Sequence, residues 1–290
     1  METIEDIRDR ICQSIKDNPN LFSARAPLFR RMIDLFLNEG KEEDAYKAVN
    51  SYLFSSIVGR TTLPQNSFFS FRTFTDYSWE DICNDSISLV HPSKFNDPFD
   101  PLIFRWIDFQ LNKSDVDERR FYCLLRKAIH GLRLRCFVNS DSIEKINPLM
   151  WAHYANSHTG FCVQYQFESD TLIIDSEQES FTCIEEVHYH PLCKVDKSLT
   201  MEEALYLKDS IWEYENEYRL VHFSSADDEE KTPGVYIHQH VSPKAIYLGS
   251  NCSESNRLKM QILLRNKNVA LFQMLFDSEY LGALKAERIE

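Results

Sequence analysis

Trp212-Glu213-Tyr214-Glu215-Asn216-Glu217-Tyr218-Arg219-Leu220-Val221-His222-Phe223 begins as the end of a helical pattern and finishes as a strand. Side chains along a strand alternate with period two. If the strand has begun by Glu215, then Glu215, Glu217 and Arg219 leave one face, and Tyr218, Leu220 and His222 leave the other. Two carboxylates and a guanidinium in a row, flanked by aromatic bulk, are costly to bury without partners. The segment is therefore either a solvated edge strand or a site.

The neighbouring sequence mixes strands and helices. Strands fit Phe68 to Phe74, Ser86 to Val90, Arg133 to Val138, Gly160 to Phe167, Ile184 to His190, Val235 to His240, Ala245 to Leu248 and Val269 to Phe276. Helices fit Trp79 to Asn84, Leu102 to Leu111, Glu118 to Leu132, Pro148 to Ser157, Met201 to Trp212 and Ser253 to Asn266. Without a strict βαβ alternation, the expected class is α+β: a mixed, largely antiparallel split sheet with peripheral helices. Residues 1–60 read instead as a helical N-terminal extension. Ile4, Ile7, Ile11 and Ile15 form a stripe at helical spacing, and two more helices fit Pro27 to Asn38 and Glu42 to Ile57. The turn Asn38-Glu39-Gly40-Lys41 resembles one tetratricopeptide-like hairpin, but one unit defines no array. A helical cap at 1–60, a linker over Thr61 to Asn66 and an α+β domain at 61–290 are expected.

Composition narrows the function classes. The chain of 290 residues, 43% hydrophobic, can bury a large core. Glycine is scarce, and no GxGxxG or Walker-type stretch is present. A formal net charge of −13 disfavours broad nucleic-acid binding, while leaving room for a local basic groove. Cysteines at 12, 83, 123, 136, 162, 183, 193 and 252 form no CxxC pair and are expected to be reduced, mostly buried thiols. No apolar leader and no membrane-length apolar run is seen, so a cytoplasmic protein without a membrane span is expected.

Four local groups can carry chemistry, and each has a plainer reading. Arg72 can fork onto a phosphate or carboxylate, although a lone strand arginine is more often exposed or ion-paired. Phe95-Asn96-Asp97-Pro98-Phe99-Asp100 is a turn by Asx and proline chemistry, and can also fix a pocket wall. Trp151, His153 and Tyr154 can clamp a nucleotide or nicotinamide ring, or face the core. The pairs His188/His190 and His238/His240 lack a carboxylate set and read as surface or core histidines, so no metal site is assigned.

The order Phe95-Asn96-Asp97-Pro98-Phe99, Cys136-Phe137, Met150-Trp151-Ala152-His153-Tyr154-Ala155, Gly160-Phe161, Lys208, Trp212, Tyr214-Glu215 and Glu217-Tyr218-Arg219 resembles a bacterial family catalogued as domain of unknown function 2971. The resemblance spans roughly residues 67–250. Members occur in bacteria, some in phage-defence neighbourhoods, and the name implies no activity. Val138 stands where the family often carries a small hydroxyl residue.

An early strand arginine, a central strand with aromatic residues and a late Glu-x-Glu are, more distantly, similar to ADP-ribosyltransferase-like domains of the Arg-Ser-Glu type. That resemblance implies NAD as substrate, with Glu217 as the carboxylate that stabilises an oxocarbenium-like ribose. It implies Glu215 as the group that positions or deprotonates the acceptor, and Arg72 as the pyrophosphate ligand. Trp151, His153 and Tyr154 would surround the nicotinamide, and Arg219 could instead pair with a glutamate and set its pKa. The Ser-Thr-Ser strand of that class is not evident. The acceptor is an unknown macromolecule. Two other readings stay open: a non-catalytic module binding a protein partner through the N-terminal helices, and a nuclease holding a divalent metal on Asp97, Asp100, Glu215 and Glu217.

Overall fold

The computed structural model describes residues 3–17, 22–57, 67–95, 97, 99–167, 173–175, 180–191, 199–224 and 235–289. The N-terminal stripe folds as a helix, Ile4–Asp17 (α1), with Ile7 and Ile11 buried. Phe22–Asn38 (α2) and Glu42–Ile57 (α3) follow. Helix α2 starts before Pro27, which therefore lies inside it rather than at its first turn. The added turn carries Arg25, which is buried. The expected linker, Thr61 to Asn66, lies outside the described residues.

Ser67–Arg72 (β1) is buried on both faces. Phe68 meets Phe137, Phe167 and Tyr218 on one side, and Phe69 packs with Val138, Cys162 and Tyr247 on the other. Such a strand belongs inside a sheet. The chain continues through Asp76–Asn84 (α4), Ser86–Val90 (β2), Ile103–Lys113 (α5), Val116–Ala128 (α6) and Leu132–Ser140 (β3). Next come Leu149–Tyr154 (α7), Phe161–Tyr165 (β4), Ile173–Asp175 (β5), Ser180–Glu186 (β6) and His188–His190 (β7). Met201–Tyr206 (α8), Leu207–Asp209 (β8), Glu217–Ser224 (β9), Val235–His240 (β10) and Ala245–Leu248 (β11) lead to Glu254–Leu264 (α9), Ala270–Phe276 (β12) and Leu284–Arg288 (β13).

Among the described residues, eleven strands share one sheet. Its order is β13-β12-β11-β4-β1-β3-β9-β6-β5, with β2 joined to both β3 and β10. The β11–β12 pair is parallel and the other pairs of this sheet are antiparallel. The fold is thus α+β, with a mixed, mostly antiparallel sheet and an N-terminal helical region. Helices α1–α3, α5, α6 and α8 pack on one end of the sheet through a shared core that includes Ile33, Trp106, Phe121, Leu134 and Phe223.

The sheet is split at one place. β1 and β3 pair only from Ser67↔Ser140 to Phe69↔Val138. Beyond Phe69, β1 follows β4 to Arg72↔Phe161, while β3 runs along β9 and meets β2 at Val90↔Leu134. A crevice opens where the two strands part.

Several expectations are corrected. The helix expected over Met201 to Trp212 ends at Tyr206, because Leu207–Asp209 extends to pair in parallel with β7. The helix expected to reach Leu132 stops at Ala128, and Leu132 already belongs to β3. Strands β5 and β13 were not foreseen from the sequence pattern. Cys162 and Cys183 are buried, but Cys12, Cys83 and Cys123 are exposed on solvent sides of their helices, so the thiols are not mostly buried. His188 and His190 are exposed on β7, and the side chains of His238 and His240 lie outside the described residues. Among the described residues, no helix is long and apolar enough to cross a membrane.

Candidate active site

The crevice between β1 and β3 is a cavity of about 460 Å³, within the usual range of ligand pockets. It gathers Arg72 from β1, Arg135 and Cys136 from β3, His153 and Tyr154 from α7, Lys208 from β8, and Glu215 and Glu217. Register decides which side each group occupies. Val138↔Glu217 and Cys136↔Arg219 are cross-strand pairs, so these four share one face of the sheet. Arg72 and Arg135 belong to the opposite pleat, with Phe68 and Phe137. The cavity thus has an acid-rich side and a guanidinium side.

The acid-rich side is built by a backbone device that alternation did not foretell. A 3-10 turn, Ser210–Glu215, is capped by Asp209 and ends at Asn216, which is left-handed (φ 42°, ψ 56°). Asparagine tolerates that conformation better than most residues, and here its Nδ2 donates to the Asn139 carbonyl at 2.5 Å. The strand begins only at Glu217, so Glu215 reaches the same place through this turn rather than by strand alternation. Both carboxylates accept from Lys208 Nζ, at 2.5 Å for Glu215 Oε2 and 2.7 Å for Glu217 Oε2.

Arg219 continues the face as expected. Its Nε donates to Glu217 Oε1 at 2.7 Å, and its Nη2 to Asp100 Oδ1 at 2.5 Å. Asp100 Oδ2 closes the ring at 3.4 Å from Lys208 Nζ. Tyr154 Oη donates to Glu215 Oε1 at 2.8 Å, and Tyr189 Oη accepts the Glu217 N–H at 2.8 Å. The five charged side chains are at most 8% exposed, so their pairing is obligatory rather than decorative.

The two glutamates are driven apart electrostatically. Burial would raise the Glu217 carboxyl, but the charges of Arg219 and Lys208 outweigh it and hold it down to about 2. Glu215 is pushed above the usual carboxylate value, chiefly by burial, with Glu217 adding to the rise and Lys208 and Tyr154 opposing it. Glu217 is therefore the fixed anion and Glu215 the one that can exchange a proton, the division of labour that acid–base sites use. Burial works against the Lys208 ammonium, yet Glu217, Asp100 and Glu215 together push its pKa upward, so it stays charged. Burial and the Glu217 charge push the Cys136 thiol up, so it is not a thiolate nucleophile.

On the guanidinium side, Arg72 lines the cavity but its Nη2 is ion-paired with Asp81, both side chains nearly inaccessible. Asp81 also accepts from the Ser88 N–H at 3.1 Å and from the hydroxyls of Ser86 and Ser88. Of the two readings that the sequence left for Arg72, the structure shows the ion pair: that nitrogen is committed to Asp81.

Trp151 takes the core alternative. It is 1% exposed, packs edge-on against Phe71 at 5.0 Å, and is not a wall of the cavity. His153 is exposed at the rim, edge-on to Tyr154 and Trp212 at 6.2 and 6.3 Å. Asp97 stays in its turn, accepting the Phe99 N–H at 2.8 Å, and does not join Asp100, Glu215 and Glu217. Those three converge on Lys208 and Arg219, which take the positions a metal cation would need. No group of three or more His, Cys, Asp or Glu among the described residues is arranged as a metal site. Sequence reading assigned no role to Lys208 or Arg135. The signal for Lys208 was its place in the ordered motif set; Arg135 had none.

Residues 150–220 match a family described as "Protein of unknown function (DUF2971)". The matched span is shorter than the 67–250 expected, and it carries Tyr154, Lys208, Glu215, Glu217 and Arg219. No curated protein and no solved structure matches the chain.

Proposed function

We propose that the chain is an NAD-dependent ADP-ribosyltransferase acting on a macromolecular acceptor, as an effector of the toxin or phage-defence kind. The carrying observation is that β1, β3 and β9 lie side by side and bring Arg72, Cys136 and the Glu215/Glu217 pair to one cavity. That is the juxtaposition which the order of strand arginine, central strand and Glu-x-Glu requires. Breaking a nicotinamide–ribose bond builds positive charge on the ribose, and a pre-fixed anion in a water-poor site stabilises it. Glu217, ionised and anchored by Arg219 and Lys208, supplies that anion.

Glu215 accepts the proton of the acceptor nucleophile as it attacks, and nicotinamide leaves with the electron pair of the broken bond. Tyr154 fixes Glu215 by donating to its Oε1, and the rim residue His153 stands beside Tyr154 on the nicotinamide side. Cys136, held as a thiol by burial and by the Glu217 charge, acts as a neutral wall of the cavity.

The test is transfer of adenylate-labelled NAD into lysate macromolecules by the full chain. Label appearing in a protein or nucleic-acid band with the wild type, and absent with Glu217→Gln, supports the reading. Neither NAD binding nor label transfer from the wild type overturns it.

A further inference from the structure

On the guanidinium side three cations line the cavity, Arg72, Lys94 and Arg135. Among the described residues, Asp81 is the carboxylate that answers them, and it is sealed behind Arg72. Two positive charges are thus left over on that wall. Arg135 differs from Arg72 in its commitments. Its Nε donates to the Ser88 carbonyl at 2.8 Å, which fixes the plane of the guanidinium, and among the described residues its two terminal nitrogens have no hydrogen-bond or ion-pair partner. Lys94, exposed at the end of the Pro92–Lys94 turn, likewise has no carboxylate partner among the described residues.

We infer that Arg135 and Lys94 form a diphosphate-binding subsite, with Arg135 as the principal anion ligand and Arg72 as its positioning neighbour. A guanidinium held by its Nε and open at its Nη1 and Nη2 presents the fork that grips phosphate oxygens in pairs. Two uncompensated charges match the two that a diphosphate bridge carries. Burial and the nearby Arg72 charge pull the Arg135 guanidinium down to about 10, a cost that a bound anion relieves. Arg72 contributes by taking Asp81 as its own ion-pair partner, which leaves the Arg135 fork open to a bound anion. Assigning that anion to the pyrophosphate of NAD rests on the transferase reading, whereas the anion site itself does not.

The experiment is calorimetric titration of the full chain with inorganic pyrophosphate and with ADP-ribose, at low salt. Wild type binds both, Arg135→Met weakens both about 10-fold or more, and Lys94→Ala weakens both several-fold. Arg126→Ala, an exposed arginine on α6 paired with Asp108, leaves both unchanged. Should Arg135→Met fail to fold, Arg135→Lys replaces it, because a lysine cannot hold the Ser88 carbonyl and offer a fork at once; the same weakening is expected.

The inference is overturned if the wild type binds neither probe, if the Arg135 and Lys94 variants bind like wild type, or if Arg126→Ala weakens binding as much as they do. Pyrophosphate binding that depends on Arg135 without NAD cleavage keeps the subsite and removes the transferase reading. NAD cleavage with Arg135-independent binding does the reverse.

Discussion

Replacing Lys208 by methionine tests whether one ammonium holds the acid cluster together. Lys208 Nζ stands 2.5, 2.7 and 3.4 Å from Glu215, Glu217 and Asp100, with 7% of its side chain exposed. Its removal leaves Glu217 and Asp100 on Arg219 and leaves Glu215 without a cation. Taking one partner out of a buried pair costs about 3–5 kcal/mol, and three carboxylates put this case toward the upper end. For a chain of this size that corresponds to a melting-point loss of roughly 10 °C.

The loss should also depend on pH. Glu215 already titrates above its ordinary value, and without Lys208 it rises further. A carboxyl whose folded-state pKa exceeds its unfolded value binds more protons when folded, so stability falls as pH rises through that window. Lys208→Met should therefore regain stability on acidification below neutral pH, and Lys208→Met/Glu215→Gln should recover much of the loss at neutral pH. Thermal melts and urea titrations of the two variants and wild type supply the numbers. A loss under about 1 kcal/mol, or one indifferent to pH and to Glu215→Gln, would refute the hub.

Three further outcomes are expected. Glu217 is held down to about 2 against an ordinary 4.5, so its contribution is complete above 4.5 and is lost as pH falls toward 2; urea titrations across that window should lose on the order of 3 kcal/mol in the wild type, and a flat acid limb there would contradict it. A Cβ on Gly160 would lie 2.2 Å from the Arg72 carbonyl oxygen and 2.9 Å from that of Ala155; Gly160→Ala should therefore cost about 3 kcal/mol, and a melt like wild type would show that β1 can give way. Trp151→Ala should cost about 3–5 kcal/mol as a core deletion, whereas rim His153→Ala should cost under about 0.5 kcal/mol and weaken ligand binding. The reverse pattern in paired melts and NAD titrations would restore Trp151 to the site.

Phe68 to Phe74 and Gly160 to Phe167 were readable as strands because side chains alternate between two faces, even though both faces of β1 turn out to be buried. Where the two sides of the sheet separate was not readable, because it depends on β2 taking the edge of β3 at Leu134, a long-range choice with no local signal. The convergence of Glu215 and Glu217 was expected for a reason that the structure replaces. Helical periodicity concealed the break at Tyr206, which is imposed by pairing with β7 and by burial of Lys208. For Trp151 and Arg72 the sequence left two readings each, because residue type alone does not say whether a tryptophan finds a core or a guanidinium finds an aspartate; the structure packs Trp151 in the core and pairs Arg72 with Asp81.

The most direct test of the central claim is nicotinamide release from NAD, followed beside NAD binding, for wild type and for Glu217→Gln and Glu215→Gln variants shown by melting to be folded. The account predicts release by the wild type, a drop of about 100-fold or more in Glu217→Gln, and NAD affinity retained in both variants. In Glu215→Gln, release should persist while transfer to the acceptor falls. Release unchanged by Glu217→Gln, or a folded wild type that neither binds nor cleaves NAD with lysate present, would contradict it.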